Sequence, residues 1–228
     1  MPTDSADTTR DPVNQRGYDV NKSIGETRFG VLKNWEWHDD PKRILFSMAR
    51  YKFVSKMFAG RRHALEIGCG DAFNAPIILQ GVQKLTVTDF DPMYIEDARQ
   101  RMKAPWIYEA RVHNLLDGPM SGSFDAIYSL DVLEHIPAAQ EDVFIRNALR
   151  SLTDDGEAIF GMPSLESQAY ASKASKDGHI NCKTGDDLVA LMRKYFRHVF
   201  LFGMNDEVVH TGYSKMAHYV IVLCCGKK

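Results

Sequence analysis

Two sets of residues in this chain have types and spacings that could do chemistry. The first is Leu65-Glu66-Ile67-Gly68-Cys69-Gly70-Asp71-Ala72, an apolar run that enters a glycine turn and opens a helix. Gly68 and Gly70 lack the Cβ atoms that would hold a ligand off the backbone, and they admit the positive φ that a tight turn can demand. Such a turn suits a nucleotide-like ligand, whose ribose is held by an acid about 20 residues further on. Leu85-Thr86-Val87-Thr88-Asp89 supplies that acid at the end of a second apolar run. The second set is His135, His179 and His210, each in a polar stretch. An imidazole titrates near neutrality and can take a proton from a reacting group, so each is a candidate general base; each would also serve to orient a neighbour, start a helix or pack a loop. His135, His179, Asp206, Glu207 and His210 have the residue types of a divalent-metal site, but no tight ligand spacing joins them, and no metal is assigned.

The elements that must hold these residues alternate. Strand-like runs at 63–67, 84–88, 106–112, 124–130, 157–162, 198–204 and 217–225 are interleaved with helical runs at 74–80, 92–102, 138–152 and 186–196. Such alternation argues for a mainly parallel sheet with helices on both faces, and ligands bind outside the carboxyl ends of its strands. The last two strand runs have no helix between them, which predicts that the final strand is inserted antiparallel. Before them, Ile44, Leu45, Met48, Tyr51, Phe53, Val54, Met57 and Phe58 recur at about three- and four-residue intervals, a helix started by Asp39-Asp40-Pro41 and stopped by Gly60. Residues 41–228 are expected to form one domain. Residues 1–40 are expected to form an arm, loosely ordered over its first 20 residues, in which Trp35 and Trp37 either pack the arm down or serve a lid over the cofactor or substrate, with Trp37 a candidate for substrate contact.

With 228 residues, 44% of them hydrophobic, the chain can bury one sizeable core, and nothing in its middle reads as a linker. A formal charge of −2 gives no general attraction to nucleic acid or an anionic membrane. Four cysteines without paired CxxC spacing, one of them in the glycine turn, fit a reducing cytoplasm. No apolar leader or long apolar span is visible, so the expected protein is soluble and cytoplasmic. Oligomeric state leaves no trace in the sequence.

The fine pattern of the turn separates the possible ligands. A dinucleotide fingerprint needs glycine or alanine at the position held by Phe73, which opposes a nicotinamide oxidoreductase. Glu66-x-Gly68-x-Gly70, with Ala72 in place of a third glycine, resembles instead the class I S-adenosylmethionine-dependent methyltransferases. The resemblance covers about residues 60–165. Its most specific part is Phe124-Asp125-Ala126-Ile127-Tyr128-Ser129-Leu130-Asp131-Val132-Leu133-Glu134-His135-Ile136-Pro137, which is similar to the fourth-strand segment of small-molecule enzymes of the UbiG/UbiE type. It implies an α/β, Rossmann-like, seven-stranded and mainly parallel sheet with the last strand antiparallel and an N-terminal helical extension. It implies S-adenosyl-L-methionine as donor, S-adenosyl-L-homocysteine as product, and Glu66, Gly68, Cys69, Gly70, Asp89, Phe90, Asn114, Leu115 and Leu130 as cofactor-binding residues. Asp89 would take both ribose hydroxyls, and Asn114 and the Leu115 N–H would take the adenine edge.

Loops that follow parallel strands emerge on one face, which places the acceptor side. The stretch 163–183 is long and polar, and Tyr170 and His179 are its candidates for substrate contact or for simple loop packing. The connection 205–213 is rich in ionisable groups, and Asn205, Glu207 and His210 are expected to face the acceptor. His135 follows the fourth strand, and the resemblance implies a possible base there, as the equivalent histidine is proposed to be in some relatives. The expected activity is O-methylation of a small sugar or natural-product-type hydroxyl by in-line transfer. The alternatives are a small-amine N-methyltransferase and a non-catalytic protein that senses the donor or its product.

Overall fold

The computed structural model describes residues 7–228. In chain order the elements are α1 (Gln15–Ile24), α2 (Val31–Asp39), α3 (Lys42–Met57), β1 (His63–Ile67), α4 (Ala75–Leu79), β2 (Lys84–Asp89), α5 (Pro92–Arg101), β3 (Glu109–Val112) and β4 (Phe124–Leu130). They continue with α6 (Glu141–Ser151), β5 (Leu152–Pro163), α7 (Lys173–Gly178), α8 (Gly185–Met192), β6 (Phe196–Asn205), β7 (Val208–His210) and β8 (Tyr219–Lys227). One sheet holds all the strands in the order β3-β2-β1-β4-β5-β8-β6-β7.

β1 to β5 run parallel, and β8 lies antiparallel between β5 and β6, as the missing helix before it required. The seven expected strands are joined by an eighth. β7 comes from the 205–213 connection and pairs antiparallel with β6, so that stretch is a hairpin on the sheet edge. In the extension, residues 15–24 form a helix where a loose arm was expected, and residues 1–6 of that arm lie outside the described residues.

The central strands are apolar on both faces because helices cover both. Along β1, Ala64 faces the core built by Val54, Phe58 and Ile78 of the α3 and α4 side, while Leu65 and Ile67 face the core built by Phe144, Ile145 and Leu188 of the α6 and α8 side. The period of two then turns Glu66 toward α3. There its carboxylate accepts hydrogen bonds from the Tyr51 hydroxyl and, at 2.8 Å, from the Tyr128 hydroxyl. Burial pushes the Glu66 carboxyl up to about 7, and the two phenols partly offset that rise.

Candidate active site

The carboxyl ends of β1, β2 and β4 open on a cavity of about 880 Å³. Its floor is the glycine turn. Gly68 sits at φ +77° and Gly70 at φ +52°, both in the left-handed region. A Cβ at residue 68 would lie 2.2 Å from Val132 Cγ2, and one at residue 70 would lie 2.6 Å from Leu32 Cδ1. Glycine is therefore favoured by conformation at both positions, and at residue 68 a Cβ would also collide with the β-branched Val132. The turn is held from below, since the N–H groups of Gly68 and Cys69 both donate to the Thr88 carbonyl, at 2.8 and 2.9 Å.

Asp89 ends β2 beside this turn. Its Oδ2 accepts the Gly70 N–H and its Oδ1 the Asp91 N–H, each at 2.9 Å. Burial raises its carboxyl, and those backbone donors pull the other way. Asp91, two residues on, is taken up in capping α5 through the Met93 N–H at 2.9 Å, which leaves Asp89 as the one of these two acids that faces the cavity. Each Asp89 oxygen keeps acceptor capacity for a ligand hydroxyl. Phe90, 74% exposed, stands at the rim with Asn114 and Leu115 nearby. One lone pair of the Asn114 amide oxygen is used by the Leu116 N–H at 3.1 Å.

The donor-side residues read from the sequence, Gly68, Cys69, Gly70, Asp89, Phe90, Asn114, Leu115 and Leu130, all line this cavity. Glu66 does not; it is buried beneath the turn and locked to the two phenols. Glycine cradle, buried acid and apolar walls together fit an adenosine-bearing ligand.

The N-terminal extension closes one side. The Lys33 N–H donates to Asp71 Oδ2 at 2.9 Å, and Arg28 pairs with Asp97 at 2.9 Å. Phe29 packs on Phe73 with ring centroids 5.3 Å apart, so Phe73, which excluded the dinucleotide pattern, is the seat of the cover. Trp37 stacks on Phe29 at 5.5 Å and stays outside the cavity; Trp35, two residues earlier on α2, is the tryptophan in its wall.

On the opposite side stand His135 and His179, with ring centroids 5.1 Å apart. His135 Nδ1 lies 2.9 Å from the Gly178 carbonyl and His179 Nδ1 lies 3.0 Å from Gln168 Oε1. An oxygen of either kind only accepts, so each Nδ1 carries the proton and each Nε2 keeps a free lone pair. Burial, and then the charge of His135, lowers the pKa of His179. Arg50 of α3 reaches over Tyr219, 3.7 Å from its ring centroid, and donates to Asp131 Oδ2 at 2.7 Å. Asp131 follows β4 at φ +58°, a left-handed position at the cavity wall.

Tyr170, Asn205, Glu207 and His210 are not brought to this cavity. Tyr170 is 93% exposed on a short 3-10 turn. His210 belongs to the edge hairpin, where its Nδ1 accepts the Gly212 N–H at 3.0 Å and its Nε2 lies 2.7 Å from Asn205 Oδ1. Both ring nitrogens are engaged, and no lone pair is left for a reacting proton. Arg50 and Tyr94 line the cavity without having been singled out in the sequence, and Trp35, one of the two tryptophans expected to pack or cover the domain, is the one that reaches it.

Residues 65–158 match the methyltransferase domain family. A ubiquinone biosynthesis O-methyltransferase of Xanthomonas axonopodis pv. citri is 28% identical over 141 residues, which are 58% of this chain and 57% of that protein. The chain thus spans less than two thirds of the curated relative it matches. The N-methyltransferase NodS of Bradyrhizobium japonicum WM9, solved with S-adenosyl-L-homocysteine, superposes with a TM-score of 0.59 at 17% identity, over 82% of this chain and 87% of that one. A TehB-like methyltransferase of Corynebacterium glutamicum gives 0.59 at 21% identity, over 80% of this chain and 88% of that one. With the strand order, the glycine turn and the acid that ends β2, these matches mark residues 65–158 as a methyltransferase domain of the class I S-adenosylmethionine-dependent fold.

Proposed function

We propose that the chain transfers a methyl group from S-adenosylmethionine to an oxygen of a small hydroxylated acceptor of the sugar or natural-product kind. The observation that carries this reading is the pair His135 and His179, two imidazoles with free Nε2 lone pairs in the same cavity as Gly68, Gly70 and Asp89. The sulfonium of the donor supplies an activated methyl group. The chain's own residues do the rest. Asp89 holds the ribose hydroxyls, the Gly68–Gly70 backbone lets the donor lie close, and Phe90, Leu115 and Leu130 bound the adenine, with Asn114 at its edge. Cys69 lines the same wall as a neutral thiol, because burial raises its pKa well above the ordinary value. Glu66 supports the turn from beneath. The histidine pair receives the acceptor hydroxyl and draws off its proton as the oxygen is placed in line with the methyl carbon.

A small acceptor is favoured by the cover of α2, which leaves a cavity of about 880 Å³ for both reactants. Oxygen is favoured over nitrogen by the O-methyltransferase named among the relatives. Among the described residues no helix is long and apolar enough to cross a membrane.

The test is incorporation of labelled methyl from S-adenosylmethionine into a metabolite extract, with Asp89→Ala as control. A labelled small product with wild type alone is expected. Donor binding by calorimetry without any labelled product, across diverse extracts, would instead make the chain a sensor.

A further inference from the structure

On one side β6 pairs with β8 from Phe196 to Met204, but on its other side β7 covers only Gly203 to Asn205. Among the described residues nothing pairs with the outer side of residues 196–202, so their outward N–H and C=O groups form an open edge of the sheet. Unpaired backbone of this kind is a template for another strand. Sheet edges are commonly guarded by shortness, proline or charge. The far edge, β3, has four residues and carries the ion pair of Glu109 with Arg111. The open stretch of β6 is longer, Phe196-Arg197-His198-Val199-Phe200-Leu201-Phe202, with no proline and an apolar run from Val199 onward. Phe200 stands 52% exposed on it.

The shape of the gap selects its occupant. Residues directly opposite one another in an antiparallel pair share a face of the sheet, so a copy of the same strand fits only in registers that keep the two faces in step. The gap starts at Phe196 and ends where β7 begins, at the level of Gly203, and its midpoint is Val199. A second β6 turned about a two-fold axis through Val199 therefore fills it from end to end, with β7 as the stop. That register keeps the faces in step and sets Val199 against its own copy, exposed His198 against exposed Phe200, and Arg197 against Leu201. Both apolar faces continue across the join. Phe200 and Phe202 lie on the α3 side, where Phe202 packs on Phe53 with ring centroids 4.9 Å apart, and Val199 and Leu201 lie on the α8 side.

Charge agrees with this register. The first turn of α8 lies against Leu201, since a Cβ at Gly185 would be 3.0 Å from Leu201 Cδ2, and it presents the exposed Asp186 and Asp187. Arg197, also exposed, shares the α8 face with Leu201 by the period of two. Among the described residues neither Arg197 nor Asp186 has an ion-pair partner. In the paired form Arg197 of each copy arrives at Leu201 of the other, beside these carboxylates.

We propose that the open edge of β6 is a self-association surface, through which two copies of this chain join their sheets antiparallel about Val199, with Arg197 of each copy facing Asp186 and Asp187 of the other. None of residues 196–202 lines the donor cavity, so the join does not use its walls.

The test is sedimentation velocity of the full chain over a concentration series, with amide hydrogen exchange at the two ends of the series. The mass should rise from one chain to two, and amides within 196–202 should gain protection as it does. Phe200→Lys, at an exposed position, and Val199→Lys, which sets two like charges against each other on the axis, should each weaken association by roughly tenfold or more while melting as cooperatively as wild type. A single-chain mass at every concentration overturns the proposal. So does a dimer that neither variant weakens, or one that forms without protecting 196–202. If Val199→Lys fails to fold, Phe200→Lys decides alone.

Discussion

The backbone N–H of Lys33 donates to the carboxylate of Asp71 at 2.9 Å, so the first turn of α2 is fastened to the residue that leaves the glycine turn. The cover and the floor of the cavity are thereby one mechanical unit. Phe29, wedged between Phe73 and Trp37, is the apolar part of the same fastening. Phe29→Ala should release α2 from the turn at a cost of about 2–4 kcal/mol of local contact. Limited proteolysis within residues 25–40 should speed up and donor affinity should drop several-fold. Identical cleavage rates and affinity would show that the cover is held by other contacts.

Asp89→Ala removes the acid beside the glycine turn. Hydrogen bonds to a charged acceptor contribute about 1.5–3 kcal/mol each, so losing two should weaken S-adenosylmethionine binding by roughly a hundredfold or more. Titration calorimetry measures this directly. An affinity within threefold of wild type would take ribose recognition away from this residue.

Gly68→Ala puts a Cβ against Val132 Cγ2 and forces a non-glycine residue to φ +77°. The left-handed conformation alone costs about 1–2 kcal/mol, and the collision adds to it. Donor binding should be nearly lost and the melting temperature lowered. Gly68→Ala combined with Val132→Ala should recover the part due to collision and keep the part due to φ. If the double variant is no better than the single, the collision is not what forbids a side chain there.

Glu66 predicts a dependence of stability on pH. Its folded carboxyl titrates at about 7, above an ordinary value of 4.5, so the folded state binds the proton more tightly than the unfolded chain does. The resulting stabilisation is complete below the unfolded value and is lost as pH rises through the folded one. The span is on the order of 3 kcal/mol. Denaturant melts of wild type and Glu66→Gln should therefore diverge between pH 4.5 and 7, with wild type losing stability relative to the variant as pH increases. Parallel curves across that window would refute the assignment.

Local pattern disclosed the donor half of this site better than the acceptor half. β1, β2 and β4 are buried on both faces, so they appear in the sequence as unbroken apolar runs, and Gly68, Gly70 and Asp89 sit where such runs end. β7 has three residues and a half-exposed surface, and it is hidden among the charges of 205–213. His210 has the same residue type as His135, but the neighbours that occupy its ring, Asn205 and Gly212, lie only five and two positions away. Arg50 and Asp131, 81 positions apart, meet only because α3 packs across the ends of β4 and β8. Trp35 and Trp37 lie on different faces of α2, and the contact of Phe29 with Phe73 decides which of them turns inward.

The space that a side chain at residue 68 would fill is taken by a methyl group of Val132. Val132 immediately precedes the Leu133–His135 turn, so the floor under the donor bears directly on the segment that presents Glu134 and His135. One methyl group is thus the contact through which the floor under the donor meets the segment that carries His135.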